Sequence, residues 1–126
     1  MKKYFFDTYA LLELILGSPR YASIYSEVSE VITTDYNVAE AYFKLLSKGQ
    51  PGIAEKLEEM LMEDALIPSK LALIEACKVK LELRKSVNKN ISFVDALGYY
   101  MAQSKGIKFL TGNDAFKGLK NVEFVK

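Results

Sequence analysis

At 126 residues and 14.2 kDa the chain, 1–126, has the length of a single domain, enough to bury roughly two-thirds of its unfolded surface. Its 50% hydrophobic and 26% charged residues exclude disordered and collagen-like classes. A net charge of +1 gives no bulk basic signature for nucleic acid, and zero histidines with the single cysteine Cys77 exclude an internal disulfide, the usual zinc sites and every His-based triad. The apolar stretch from Tyr9 to Gly17 is broken by Glu13 and falls short of the roughly 18 residues of a membrane span. Met1-Lys2-Lys3 runs through Tyr4-Phe5-Phe6 straight into Asp7, so no signal-peptide apolar region follows it. A cytoplasmic protein with no membrane partner is expected.

Tyr4-Phe5-Phe6 suits a buried strand, and Asp7-Thr8 opens a helix carrying Leu11, Leu12, Ile15 and Leu16 that Gly17 and Pro19 end. A second helix is expected over about Tyr21 to Glu30, and the β-branched Val31-Ile32-Thr33-Thr34 as the next strand. Asn37 is the expected cap of a third helix, with Val38, Ala41, Tyr42 and Leu45 at helical spacing and Gly49 as its stop. Gly52 to about Asp64 reads as a fourth helix, Ala65-Leu66-Ile67-Pro68 as a short strand, and Lys70 to Ser86 as a long helix with Leu73, Ile74, Cys77 and Leu81 on one side. After the polar Asn88-Lys89-Asn90, Ser92 caps a helix ending at Gly106. A strand Ile107 to Leu110, the loop Thr111-Gly112-Asn113-Asp114 and a last strand Val122 to Val125 complete the chain.

Strands alternating with helices predict an α/β fold with a parallel sheet, whose ligand site lies beyond the carboxyl ends of the strands. Acids and an amide collect at that edge. Asp7 follows the first strand, Glu40 lies in the first turn of the third helix, Asp95 in the first turn of the helix begun by Ser92, and Asn113-Asp114 follows the fourth strand. Such a cluster repels itself unless a cation fills it, and hard oxygen donors without His or Cys suit Mg²⁺ or Mn²⁺. A divalent ion there would activate water and neutralise charge on the leaving oxygen of a phosphodiester. Each residue also has a plainer explanation: Asp7 as a helix cap, Glu40 as a surface partner of Lys44, Ser92 to Asp95 as a capping box, and Asn113 and Asp114 as turn residues.

In family order, Tyr4-Phe5-Phe6-Asp7-Thr8, Thr33-Thr34-Asp35-Tyr36-Asn37-Val38-Ala39-Glu40-Ala41, Ile91-Ser92-Phe93-Val94-Asp95-Ala96-Leu97 and Gly106-Ile107-Lys108-Phe109-Leu110-Thr111-Gly112 resemble the PIN-domain family, close to the VapC-type toxin ribonucleases of prokaryotic toxin-antitoxin pairs. The resemblance covers essentially the whole chain. It implies a PIN-like three-layer α/β/α sandwich with a central, mainly parallel sheet of four to five strands. It further implies a Mg²⁺- or Mn²⁺-dependent endoribonuclease leaving 3′-hydroxyl and 5′-phosphate ends. Asp7, Glu40 and Asp95 fall on the family's three most dependable acids. Where the family pattern reads Thr-x-Asp-x-x-Phe, Thr111-Gly112-Asn113-Asp114-Ala115-Phe116 places Asn113 on the acid's position and Asp114 one residue later. Either Asn113 or Asp114 then completes the metal and catalytic set, with Thr8 and Thr111 in support. The implied partners are RNA, an antitoxin reaching the site with a basic side chain, and a second copy in a homodimer.

Glu13 interrupts an apolar helix face and is expected to be half-buried or to face a partner, together with the exposed apolar faces of the first two helices. Cys77, in line with Ile74 and Leu81, is expected in the core. Glu55, Glu58, Glu59, Glu63 and Asp64 against Lys56, and Lys70, Lys78, Lys80, Arg84, Lys85 and Lys89 against Glu75 and Glu82, predict two faces of opposite sign. The basic one would serve as an RNA rim or simply as a solvated face. Two other readings compete: a non-catalytic PIN-like module that binds RNA or protein, and an RNA-processing nuclease that is not a toxin. A receiver-like signalling domain ranks low, since Thr8 stands where its second acid is needed.

Overall fold

Side-chain alternation along two short strands sets the architecture. In the computed structural model, which describes residues 1–86 and 90–126, β1 (Tyr4–Phe6) and β2 (Lys108–Thr111) pair in parallel with Phe5 beside Phe109 and Phe6 beside Leu110. β3 (Val122–Phe124) joins the other side of β2, again parallel, giving the order β1-β2-β3. Because successive side chains point to opposite faces, Phe5 and Phe109 line one side of the sheet while Tyr4, Phe6 and Leu110 line the other. Each side has its own core, and the sheet is the middle layer of an α/β/α sandwich.

The first layer is built from α1 (Thr8–Ile15), α2 (Pro19–Glu27), α3 (Asp35–Ser47) and α4 (Pro51–Leu61). These bury Leu11, Tyr21, Val38, Leu45 and Leu57 against Phe6 and Leu110. On the opposite face α6 (Phe93–Ser104) brings Ala96, Tyr99 and Ala102 onto Phe5, Phe109 and Phe116, and α5 (Lys70–Ser86) packs outside it through Ala72 and Ala76 against Leu97. Gly98 sets the closeness of α6 to the sheet. A Cβ there would stand 2.8 Å from the Phe5 ring and 3.0 Å from that of Phe109.

Two of the five expected strands are reduced to isolated bridges that carry the sheet beyond β1. Ile32 bridges Phe5 and Thr34 bridges Leu66, both parallel, with hydrogen bonds from Phe6 N–H to the Ile32 carbonyl (2.8 Å) and from Leu66 N–H to the Thr33 carbonyl (2.9 Å). The ladder stops short because the chain turns into α3 at Asp35, and because Pro68 has no N–H to give. The cap of α3 is Thr34, not Asn37: its hydroxyl oxygen accepts from Asn37 N–H (3.2 Å). A short 3₁₀ turn, Asp114–Phe116, was not foreseen.

The outer helix departs furthest from expectation. The alanines of α5 face α6, where small side chains let two helices approach closely, so Leu71, Ile74 and Leu81 point outward and Cys77 is exposed rather than in the core. Of the polar loop expected at Asn88-Lys89-Asn90, Asn88 and Lys89 lie outside the described residues. Among the described residues no helix is long and apolar enough to cross a membrane.

Candidate active site

The carboxyl ends of β1 and β2 open side by side, and Asp7 and Thr111 are the residues that emerge there. Asp7 is 2% exposed; its N–H donates to the Leu110 carbonyl at 3.2 Å and its Oδ1 accepts from Ala10 N–H at 2.8 Å, which makes it the N-cap of α1. The Thr111 hydroxyl also hydrogen-bonds this carboxylate, and Thr111 Oγ1 accepts from Asn113 N–H at 3.0 Å. Thr111 thereby ties the loop after β2 to the acid after β1. Asn113 caps the 3₁₀ turn through Ala115 N–H (3.0 Å) and holds Asp114 at the rim.

Asp95 reaches the same edge from the opposite layer. Ser92 and Asp95 form a reciprocal capping box, Asp95 N–H to Ser92 Oγ at 3.0 Å and Ser92 N–H to Asp95 Oδ2 at 3.1 Å. Glu40 comes from the second turn of α3, whose start is locked to α1 through a buried amide: Thr34 Oγ1 donates to Asn37 Oδ1 (2.6 Å) and Asn37 Nδ2 donates to Thr8 Oγ1 (3.1 Å). Asp7, Thr8, Glu40, Asp95, Asn113 and Asp114 all line one cavity of about 430 Å³. Capping and convergence therefore coexist, since the caps are what fix where these acids stand.

Two lysines share the cavity. Lys44 lies one turn beyond Glu40, and Lys126 donates from Nζ to Asp114 Oδ2. The patterning of helices and strands gives no signal for Lys126, because it reaches the site only through the path of the chain after β3. Nor does it signal the role of Asn37, whose side chain is an internal link instead of the expected cap.

Burial raises the Asp7 carboxyl to about 7, against the Thr111 and Ala10 hydrogen bonds that favour its charged form, with Asp95 and Glu40 adding repulsion. Asp95 is raised for the same first reason and further by Glu40, while its Ser92 bonds and Lys44 work against the shift. Among the described residues no three Asp, Glu, His or Cys side chains stand close enough together to hold an ion as they are. The donor chemistry nonetheless fits a hard divalent cation: carboxylate and amide oxygens only, one of them a buried acid whose charge its acidic neighbours oppose.

The PIN domain family model matches residues 4–122, and the chain belongs to that family. Its fold is shared with a toxin from Mycobacterium tuberculosis, VapC20, described as cleaving the sarcin-ricin loop, at a TM-score of 0.79 and 18% identity over 98% of this chain and 100% of the other. A toxin-antitoxin complex from Klebsiella pneumoniae shares it at a TM-score of 0.69 and 16% identity, over 96% of each chain. Among curated proteins none matches.

Proposed function

We propose that this PIN-domain protein is a divalent-metal-dependent endoribonuclease and the toxin of a toxin-antitoxin pair. The observation that carries the reading is the convergence of Asp7, Glu40, Asp95, Asn113 and Asp114 from four separate elements on one cavity at the carboxyl edge of the sheet. Family membership, and the toxin and the toxin-antitoxin complex that share the fold, support it.

Asp7, Glu40 and Asp95 would hold Mg²⁺ or Mn²⁺, with Asn113 or Asp114 completing the set. The ion, when bound, supplies Lewis acidity and a lowered water pKa. The chain's own residues do the rest. The hydrogen bonds of Thr111, Ala10 and Ser92 orient the carboxylates, and the buried floor around Asp7 excludes water and strengthens every charge interaction above it. To serve as a ligand, Asp7 would have to give up the proton that burial keeps on it near neutral pH. Lys44, beside Glu40 and Asp95, faces the incoming phosphodiester.

A second copy of the chain is assigned to the outer faces of α3 and α5, where Tyr36, Phe43, Leu46, Leu71, Ile74 and Leu81 stand exposed. The antitoxin is assigned to α1 and α2, where Leu16 and Tyr25 are exposed and Glu13 is half-buried. The alternative of a PIN module that binds RNA without cutting draws on Asn113, a neutral amide where the family pattern has an acid.

Purified chain incubated with single-stranded RNA and Mn²⁺ or Mg²⁺ is the test, beside EDTA and Asp95→Asn. Cleavage that both controls abolish supports the nuclease. RNA left intact in every lane, with Mn²⁺ bound, supports the non-catalytic module.

A further inference from the structure

The segment after β3 is a short strap that brings Lys126 to the acid cavity. Val125 N–H donates to the Thr111 carbonyl (2.9 Å), the buried Tyr21 hydroxyl donates to the Val125 carbonyl (2.5 Å), and Arg20 Nη1 donates to the Lys126 carbonyl (3.3 Å). Below it Gly112 leaves no room to spare: a Cβ there would lie 2.2 Å from the Tyr9 ring and 2.6 Å from the Val125 carbonyl oxygen. The strap is therefore fixed at its backbone, and what it delivers is the Lys126 ammonium, at the rim of the cavity and hydrogen-bonded to Asp114.

An ammonium has three N–H donors, so the bond to Asp114 leaves two, and the Lys126 side chain is 59% exposed while it lines the cavity. The Asp114 bond restrains a side chain that would otherwise lose much rotamer entropy on meeting a ligand. The geometry points to Lys126 as a substrate-binding residue that takes a phosphate of the RNA strand across the cavity from Lys44, with Asp114 as its positioning partner. This inference rests on the ribonuclease reading, and gives Asp114 the task of holding a lysine.

The test is the affinity of a labelled single-stranded RNA, measured by fluorescence anisotropy against salt concentration. It is run with Mn²⁺ in an Asp95→Asn background so that cleavage does not interfere, with cleavage by the parent chain and by Lys126→Ala, both keeping Asp95, followed in parallel. Lys126→Ala should weaken binding about tenfold and reduce the salt slope by about 0.7, as for one lost phosphate contact. Lys126→Arg should retain both, and Lys105→Ala, at the opposite edge of the sheet, should change neither. The strap is held through backbone groups and Tyr21, so removing the lysine side chain leaves its anchors in place. RNA bound equally well by Lys126→Ala, or bound more tightly and cut faster, overturns the inference, the second result making Lys126 a plug on the acids. A parent chain that neither binds nor cuts RNA overturns the ribonuclease reading itself, and the inference with it.

Discussion

A carboxyl group raised to about 7 by burial holds its proton more tightly in the folded chain than in the unfolded one, where an Asp titrates near 4. The sign of its contribution follows. Asp7 stabilises the metal-free fold fully below about pH 4, and that stabilisation is lost as pH rises through about 7. Metal-free protein should thus lose a few kcal/mol from this residue between those limits, seen as a falling denaturation midpoint in EDTA. Asp7→Asn keeps an oxygen to accept from Ala10 N–H, so the α1 cap survives while the buried charge goes. This variant should be more stable than the parent at pH 8 in EDTA and should have a flatter pH profile. A parent-like profile would mean that Asp7 titrates as an ordinary carboxylate. Asn37 makes the opposite case. Replacing it by Leu leaves the buried Thr8 and Thr34 hydroxyls without their amide, a loss of roughly 1 to 3 kcal/mol by urea denaturation.

Among the elements, α6 carries both a structural cap and a residue of the proposed site in one short motif. Ser92→Ala removes the acceptor of Asp95 N–H, should cost about 1 kcal/mol of stability, and should lower RNA cleavage by more than that loss explains, because Asp95 loses its orientation. Unchanged cleavage would show that the capping box serves the helix alone. This motif was legible in the sequence, as were Asp7, Glu40 and the loop after β2, because caps and turns are written in local residue types. The cap of α3 was misplaced by three residues since Thr34 and Asn37 are both good caps, and only the buried link to Thr8 decides between them. The strands at 31–34 and 65–68 have β-branched or apolar residues, yet ladder length depends on where the neighbouring chain turns, which no local pattern states. On α5 the apolar spacing itself misled: of Leu73, Ile74, Cys77 and Leu81, which look like a core face, only Leu73 packs inward, because the small Ala72 and Ala76 sit on α6.

For the whole molecule, that outward apolar face carries a consequence. Leu71 is 66% and Ile74 57% exposed on α5, and Phe43 on α3, in the other layer, is 67% exposed. Paired with a second copy these side chains would be covered. The chain should sediment as a dimer at micromolar concentration, and Phe43→Lys with Ile74→Lys should give a folded monomer; a monomeric parent chain removes the assignment. The central claim, that the acids gathered at the carboxyl edge of the sheet form a divalent-cation site, does not depend on finding the right RNA. Calorimetric titration of metal-free protein with Mn²⁺ at pH 7 tests it most directly. The predicted result is saturable binding whose heat varies with the buffer, because Asp7 gives up a proton, and which Asp7→Asn abolishes or greatly weakens. Folded parent protein that takes up no Mn²⁺, or an Asp7→Asn chain that binds it as the parent does, would contradict the claim.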